Sequence, residues 1–521
     1  MAGAKRPPLR DRPGVPPLGR RQFLRRLGVA MGSALTAPAL PDLHAAPAPR
    51  APLEVVVVGA GLAGLCAAYE LERLGHRVVL LEADRSHIGG RVRTLRFGDG
   101  LYGEAGAMRI PLRHDLTRHY VSEFGLPLRT FVQSNPEAYY FARGRRERIK
   151  NVKQLNPLYA FAEGEKEKTP DDLWARAVVQ RLKALSDRER ADLSGVTFQT
   201  EAVRAVDQKS LQQLCEEAGL SEEAIDFLAV TNGIETLMSS AATEHLREER
   251  DQVWTREFHE IVGGTDRLPA AFAARLRSKP RLGCEVTRLE QDPLRRRAAA
   301  VYRDRRSNGL RRAEGDFVLC TLPFPVLNRL EVVPPFSPGK QRAIRELHYD
   351  SSTKVLAVLG ERFWEREEGI FGGGTYTDLP TGMTYYPSDN AETRDPRASA
   401  GPGVLLASYT WGQAARRLGM LPHQDRAALV IRHLSQVHPQ LAKEDMVRKT
   451  ASWSWDRHPW SGGAFAWFMP GQHTALHRHV VSPEGRIYLA GEHTSLTHTW
   501  MQGALESARR AVREMLEVGK G

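Results

Sequence analysis

The chain has 521 residues, 41% of them hydrophobic and 26% charged, with a formal net charge of +12. This composition excludes a disordered chain and leaves room for two or three packed units at roughly 150 residues each. The charge first suggests nucleic acid as a partner, but residues 1–50 hold nine Lys or Arg against two Asp, so most of it belongs to a leader.

Within that leader, GRRQFLRRLG sets Arg20 and Arg21 ahead of Phe23 and Leu24, followed by an apolar run from Leu27 to Leu40 and the small residues of HAAPAP. The run is too short and too broken by Gly and Pro to span a bilayer, so no stable membrane insertion is expected. It fits a cleavable twin-arginine signal peptide and linker over 1–48, ending near Ala46 to Ala48. The expected location is therefore periplasmic or secreted, with the twin-arginine translocon as a transient partner. Because that translocon carries folded proteins, a cofactor would be loaded before export.

LEVVVVGAGLAGLCAAYELERLGHRVVLLEAD, from Leu53, predicts a strand, a glycine turn, an amphipathic helix and a second strand. The apolar run Val55 to Val58 suits a central parallel strand covered on both faces. Gly59, Gly61 and Gly64 form G-x-G-x-x-G: one glycine for the tight turn, one for approach of a pyrophosphate, one for helix packing. Backbone amides at Leu62 and Ala63 would open the helix toward that phosphate. Glu82, followed by Ala83, ends the second strand, where a carboxylate can accept from a ribose hydroxyl.

GGRVRT, from Gly89, adds Gly90 and Arg91 just past this unit. In GEAGAMRIPLRH, from Gly103, Arg109 stands among Gly106, Ala107, Met108 and other small or apolar residues. An enclosed guanidinium suits a carboxylate or phosphate gripped by two parallel hydrogen bonds. The ordinary alternatives are solvent or a local pair with Glu104. RGRRERIK at 143–150 and RDRRSNGLRR at 303–312 read as solvated hairpin turns. They carry no interleaved aromatics, which argues against nucleic-acid binding.

Between them, DDLWARAVVQRLKAL and LSEEAIDFLAV predict helices, the latter with Ser221 as N-cap. LHYDSSTKVLAVLGERFWE predicts a strand bearing Lys354, and GVLLASYTWGQAA one bearing Tyr409; an exposed strand lysine and a core tyrosine are the plain readings of both. SWSWDRHPWSGGAFAWFMPGQ offers aromatic walls from Trp453 to Trp467. GRIYLAGEHTSLTHTWMQGALESARRAVREML predicts a strand Ile487 to Ala490, the acid Glu492, and a last helix from about Trp500. The N-terminus of that helix, at Met501, Gln502 and Gly503, would aim amides and positive dipole at an anionic ring edge. Gly503, Ala504 and Ala508 would keep it slim enough to approach. A second nucleotide-contacting segment suits FAD better than NAD. Cys66, Cys215, Cys284 and Cys320 lack metal-ligand spacing and read as buried thiols, with no metal expected.

Together these motifs resemble the flavin amine oxidase family and, within it, the L-amino acid oxidases, from about Leu53 to the C-terminus and most weakly between about 151 and 250. HEIVGGTDRLPAAFA and GCEVTRLEQD look like the family's middle FAD segment, with Val286 holding the adenine through its backbone. The resemblance implies an α/β fold. A Rossmann-like FAD-binding domain (51–95, 256–345 and 479–521) would interleave with an α+β substrate-binding domain (96–150 and 346–478) and a helical domain (151–255). It also implies a homodimer. No cysteine follows Cys320, so the FAD would be non-covalent.

By the same resemblance, Lys354 anchors a water beside flavin N5, Arg109 pairs with the substrate α-carboxylate, and the Tyr409 phenol donates to that carboxylate. Trp500 walls the substrate, and the carbonyl near Thr499 accepts from its amine. The implied reaction takes an L-amino acid and molecular oxygen to a 2-oxo acid, ammonia and hydrogen peroxide. An amino-acid 2-monooxygenase, an amine or polyamine oxidase, and a non-enzymatic exported flavoprotein are the alternatives. Two departures stand out: Thr499-Trp500 occupies the place of the family's Gly-Trp, and His245 only loosely matches the entrance histidine that some relatives carry on the helical segment.

Overall fold

The computed structural model describes residues 51–254 and 257–519, so the twin-arginine segment lies outside the described residues. Val55 to Val58 forms the strand Glu54–Val58, fully buried from its second residue onward. It sits centrally in a five-stranded parallel sheet, in the order Arg281–Leu282, Arg77–Glu82, Glu54–Val58, Phe317–Cys320 and Ile487–Leu489. Both faces are covered, which is why these strands are continuously apolar rather than alternating. On one side the helix Leu62–Arg73 packs against the last helix, Met501–Val518, which buries Leu505, Ala508, Val512 and Met515.

A second sheet of seven strands carries the two residues that the sequence placed on strands. Ser352–Leu359 is buried along its whole length between Gly403–Trp411 and Val447–Ser454. Alternation sends Val355, Ala357 and Leu359 to a core shared with the helix His423–Val437, while Leu356 and Val358 enter the other core. Lys354 lies on this latter side, directly opposite Tyr409 on one neighbouring strand and Trp453 on the other.

The described residues 151–254 are largely helical and share their core with the same sheet face, through Phe227, Leu228 and Leu246 against Tyr376, Met383 and Tyr385. Reciprocal capping boxes start its helices at Thr169/Asp172, Ser186/Glu189 and Ser210/Gln213. Ser221 caps Glu222–Asn232 by accepting from the Ala224 amide. The helix expected at DDLWARAVVQRLKAL runs from Pro170 to Ala184, with a π-helical turn at Ala175–Val179 inside it. Both basic runs fall at hairpins, around Arg143-Gly144 and between Arg297–Asp304 and Gly309–Gly315. All four cysteines are buried and free. Among the described residues no helix is long and apolar enough to cross a membrane.

Candidate active site

The glycine turn has the form a dinucleotide needs. Gly59 takes φ +98°, a conformation that side chains disfavour, and a Cβ on Gly64 would fall 1.9 Å from the Gly59 carbonyl oxygen. A Cβ on Gly61 would meet nothing within 4 Å, so the turn is open on that side. Helix Leu62–Arg73 begins here with its first amides, at Leu62 and Ala63, lacking helical acceptors. Glu82 is buried and accepts from the amides of Ala60 at 2.7 Å and Asp84 at 2.8 Å. Burial pushes its carboxyl up, and those amides oppose the shift. Gly90 lies against Gly61, and Ala83 directly follows Glu82 in the chain. Val286 sits in the next sheet beside a register shift that interrupts pairing between Val286 and Arg288.

Glu492 joins three remote segments. It accepts from Arg91 at 2.7 Å, from the Ala466 amide at 3.0 Å and from the Thr499 amide at 3.1 Å. Its carboxylate is thereby committed to protein donors. Thr499 is held at φ +71°, a region costly for a β-branched residue by about 1–3 kcal/mol. Trp500 then caps the last helix, and Met501 and Gln502 are buried within its first turn. The Gln502 side chain is tied to Thr117 and Asp115. Gly503 is needed for a reason different from the one read in the sequence: a Cβ there would lie 2.2 Å from the Thr497 carbonyl oxygen. The chain's own backbone imposes that glycine.

GEAGAMR runs beside this region. A Cβ on Gly106 would collide at 1.9 Å with the Arg91 carbonyl, and Ala107 donates to that same oxygen. Lys354 reaches in from its strand, donating to the carbonyls of Gly106 at 2.7 Å and Glu104 at 3.2 Å, with Met108 Sδ at 3.6 Å. Its Nζ lies 4.4 Å from the centre of the Tyr409 ring. Burial, with Arg109 adding, pushes the lysine well below the usual ammonium range, although Glu104 opposes this. Burial pushes Glu104 up. Glu104 accepts from Thr94 Oγ1 and the Thr265 amide, so the local pair offered for Arg109 does not form.

Arg109 is 7% exposed and is surrounded by rings rather than by anions. Its guanidinium carbon lies 4.9 Å from the ring centre of Trp254, 5.5 Å from Tyr385 and 5.9 Å from Trp500. Nη1 has no hydrogen-bond partner, and no ion pair to Arg109 occurs among the described residues. Cation–π contact is worth up to about 2 kcal/mol in a desolvated setting, whereas removing a cation from water costs several kcal/mol. The rings therefore cannot offset burial alone, and the site attracts an anion. Around the guanidinium, Trp254, Trp500 and Tyr409 keep part of their surface open.

Sequence reasoning missed Trp254, Tyr385 and a further acid, Glu248. The Glu248 carboxylate accepts from both indoles, Trp500 Nε1 at 3.1 Å and Trp254 Nε1 at 2.6 Å. His245, one turn earlier, instead bonds Ser240 and packs against Trp174 and Trp467. It is Glu248 that this helix contributes to the rings around Arg109. Of the tryptophans left open by sequence, Trp453 stacks on Arg93 at 4.3 Å and Trp455 donates to the Ala105 carbonyl; neither touches the guanidinium.

Comparison with known proteins identifies the family. The chain is 35% identical over 470 residues to Bacillus subtilis (strain 168) YobN, provisionally named an L-amino-acid oxidase, spanning 89% of this chain and 95% of the relative. It is 34% identical over 466 residues to the L-amino-acid oxidase of Siganus canaliculatus, spanning 88% and 84%. In fold it is similar to putrescine oxidase bound to putrescine, with a TM-score of 0.71 at 19% identity, over 90% of this chain and 99% of that one. Residues 62–516 match the model of the flavin-containing amine oxidoreductases, and the chain is a flavin-dependent oxidoreductase belonging to that family.

Proposed function

We propose that the protein oxidises L-amino acids at Cα, with water and dioxygen as co-reactants, to give a 2-oxo acid, ammonia and hydrogen peroxide. The observation that carries this reading is Arg109, a buried guanidinium with an unpartnered Nη1, ringed by Trp254, Tyr385 and Trp500. A substrate bearing an α-carboxylate supplies the missing anion, whereas a simple amine would leave the cation buried and alone. Relatives named L-amino-acid oxidase support the same choice.

FAD, when bound, supplies two-electron oxidation of the substrate and passes the electrons to oxygen. The open turn at Gly61, the helix amides after it, Glu82, the Gly106–Met108 segment and the start of the last helix are the groups that would hold it. Arg109 binds and orients the carboxylate, with Tyr409 donating its phenolic proton to the same group. The Thr499 carbonyl accepts from the amine, and Trp500 and Trp254 exclude water from the enclosure. Lys354 holds and moves a proton at Nζ. As a neutral amine its two N–H bonds satisfy the carbonyls of Gly106 and Glu104, leaving the lone pair free to accept.

A peroxide-coupled screen of L- and D-amino acids, with ammonia and 2-oxo acid measured in parallel, tests the assignment. Amide product would indicate a monooxygenase, and turnover confined to decarboxylated amines would indicate an amine oxidase. The flavin is expected to be non-covalent, released intact when the protein is denatured by acid or heat; flavin remaining on the denatured chain would contradict this.

Two glycine substitutions separate cofactor binding from packing. Gly64→Ala drives a Cβ onto the Gly59 carbonyl and is expected to lower stability by about 3 kcal/mol or more. Gly61→Ala meets open space and is expected to leave the melting temperature of the flavin-free protein nearly unchanged while weakening FAD binding. Equal effects on both quantities in both variants would count against a cradle at Gly61.

We further propose that the leader directs export by the twin-arginine route. Replacing Arg20-Arg21 with Lys-Lys is expected to retain the protein inside the cell, and an exported fraction still beginning at Met1 would refute removal of the leader.

A further inference from the structure

Glu248 holds an unusual position. It lies on the helix Ala242–Arg250, outside every sequence motif, yet its two carboxyl oxygens accept from the indoles of Trp500 and Trp254. Those same indoles lie against the Arg109 guanidinium, at 5.9 Å and 4.9 Å from their ring centres. An acid has thus been placed just behind two of the walls of a site whose cation awaits an anion. An ionised Glu248 would compete electrostatically with an incoming carboxylate for Arg109, whereas a neutral one would hold the indoles without competing.

We propose that Glu248 is a positioning residue whose proton belongs to the binding equilibrium: neutral Glu248 fixes Trp254 and Trp500 around Arg109, and binding of a carboxylate substrate draws a proton onto it. This rests on the reading of Arg109 as the carboxylate-binding group.

The neighbouring charges support it. Surrounding protein pushes the Glu248 carboxyl up to about 7, with Glu244 one turn back adding to the shift and the two indole N–H groups and Arg109 opposing it. Against Trp500 lies His114, ring centres 5.0 Å apart. Burial pushes His114 down to about 3, so it stays neutral and supplies no compensating charge. Beyond Arg109, the Lys354–Glu104 pair can also take up protons when an anion enters. The difference between wild type and Glu248→Gln therefore isolates the contribution of Glu248.

An added anion beside Arg109 raises the Glu248 carboxyl further, because like charges disfavour ionisation. Between the free and the raised value, one proton is taken up per anion bound, and affinity falls about tenfold per pH unit. Below both values neither effect remains.

Benzoate, a carboxylate without an amine, is the probe. Its binding to the FAD-loaded enzyme would be measured by titration calorimetry in buffers of different ionisation enthalpy, which counts protons, at about pH 5.5 and about pH 8. Wild type is expected to take up markedly more protons per benzoate at the higher pH than Glu248→Gln, and its affinity to fall more steeply with pH. At the lower pH the two proteins should bind within a few-fold of one another. Wild type that binds benzoate at the higher pH with no proton uptake overturns the proposal without any variant. So does uptake that is unchanged in folded Glu248→Gln. Benzoate that fails to bind wild type, or binds Arg109→Met equally well, instead overturns the carboxylate reading of Arg109 and the proposal with it.

Discussion

Arg109→Met is expected to raise the apparent KM for L-amino acids by hundreds to thousands of fold while leaving the spectrum of bound flavin nearly unchanged. A charge pair enclosed by protein that loses one partner strands the other, at a cost of about 3–5 kcal/mol, and each 1.4 kcal/mol is tenfold in affinity. The enclosure around Arg109 offers no substitute cation within it, since Lys354 is committed to two carbonyls. Methionine keeps much of the volume against Trp254, Tyr385 and Trp500, so collapse of the walls is not the expected cause of the loss. An amino-acid amide or a decarboxylated amine serves as internal control: without a carboxylate, it should lose far less. If wild type turns over such an amine as well as the parent amino acid, and Arg109→Met changes neither, an amine oxidase becomes the better assignment.

The second large effect is expected at Lys354. Lys354→Met should lower kcat, or the rate at which oxygen restores the flavin, by about 10²-fold or more, with KM changed much less. Methionine reproduces the length of the chain and removes the proton-carrying nitrogen. The Gly106 and Glu104 carbonyls lose a donor, so some loss of stability accompanies the change and should be measured separately by melting. Rapid-reaction measurement of the reductive and oxidative halves distinguishes the steps. Turnover equal to wild type would remove the lysine from the chemistry.

The glycine motif and its strands were legible because they are local: Gly59, Gly61 and Gly64 act within one turn, and the run Val55 to Val58 reports its own burial. Lys354 and Tyr409 were each visible on strands, but their facing one another is a matter of register, which no single strand encodes. Of the ring around Arg109 only Trp500 was legible, and that through the family resemblance. Trp254 comes from a turn after a helix, Tyr385 from a short strand and Trp500 from a helix cap, and no periodic spacing links them. Glu248 was hidden for a similar reason: on an otherwise charged helix face, ATEHLREER, an acid that bonds one indole six residues on and another near the C-terminus looks like any solvated one. Gly503 shows the opposite case, a residue singled out correctly as small while the atom that forbids a side chain is the Thr497 carbonyl of the same loop.

The five-stranded sheet also fixes an order of events in biosynthesis. Its central strand ends at Val58, yet the edge strand Ile487–Leu489 is made more than 400 residues later, and Glu492, which clasps Arg91, follows it. A growing chain on the ribosome therefore presents the glycine turn long before the residues that close over it exist. Contacts so distant along the chain are slow to form, and until they do, the apolar edge of Phe317–Cys320 has no neighbour on that side. Productive folding must thus wait for nearly the whole polypeptide, and the nascent chain spends that interval with an open sheet edge that chaperones, rather than its own remaining sequence, would have to shield.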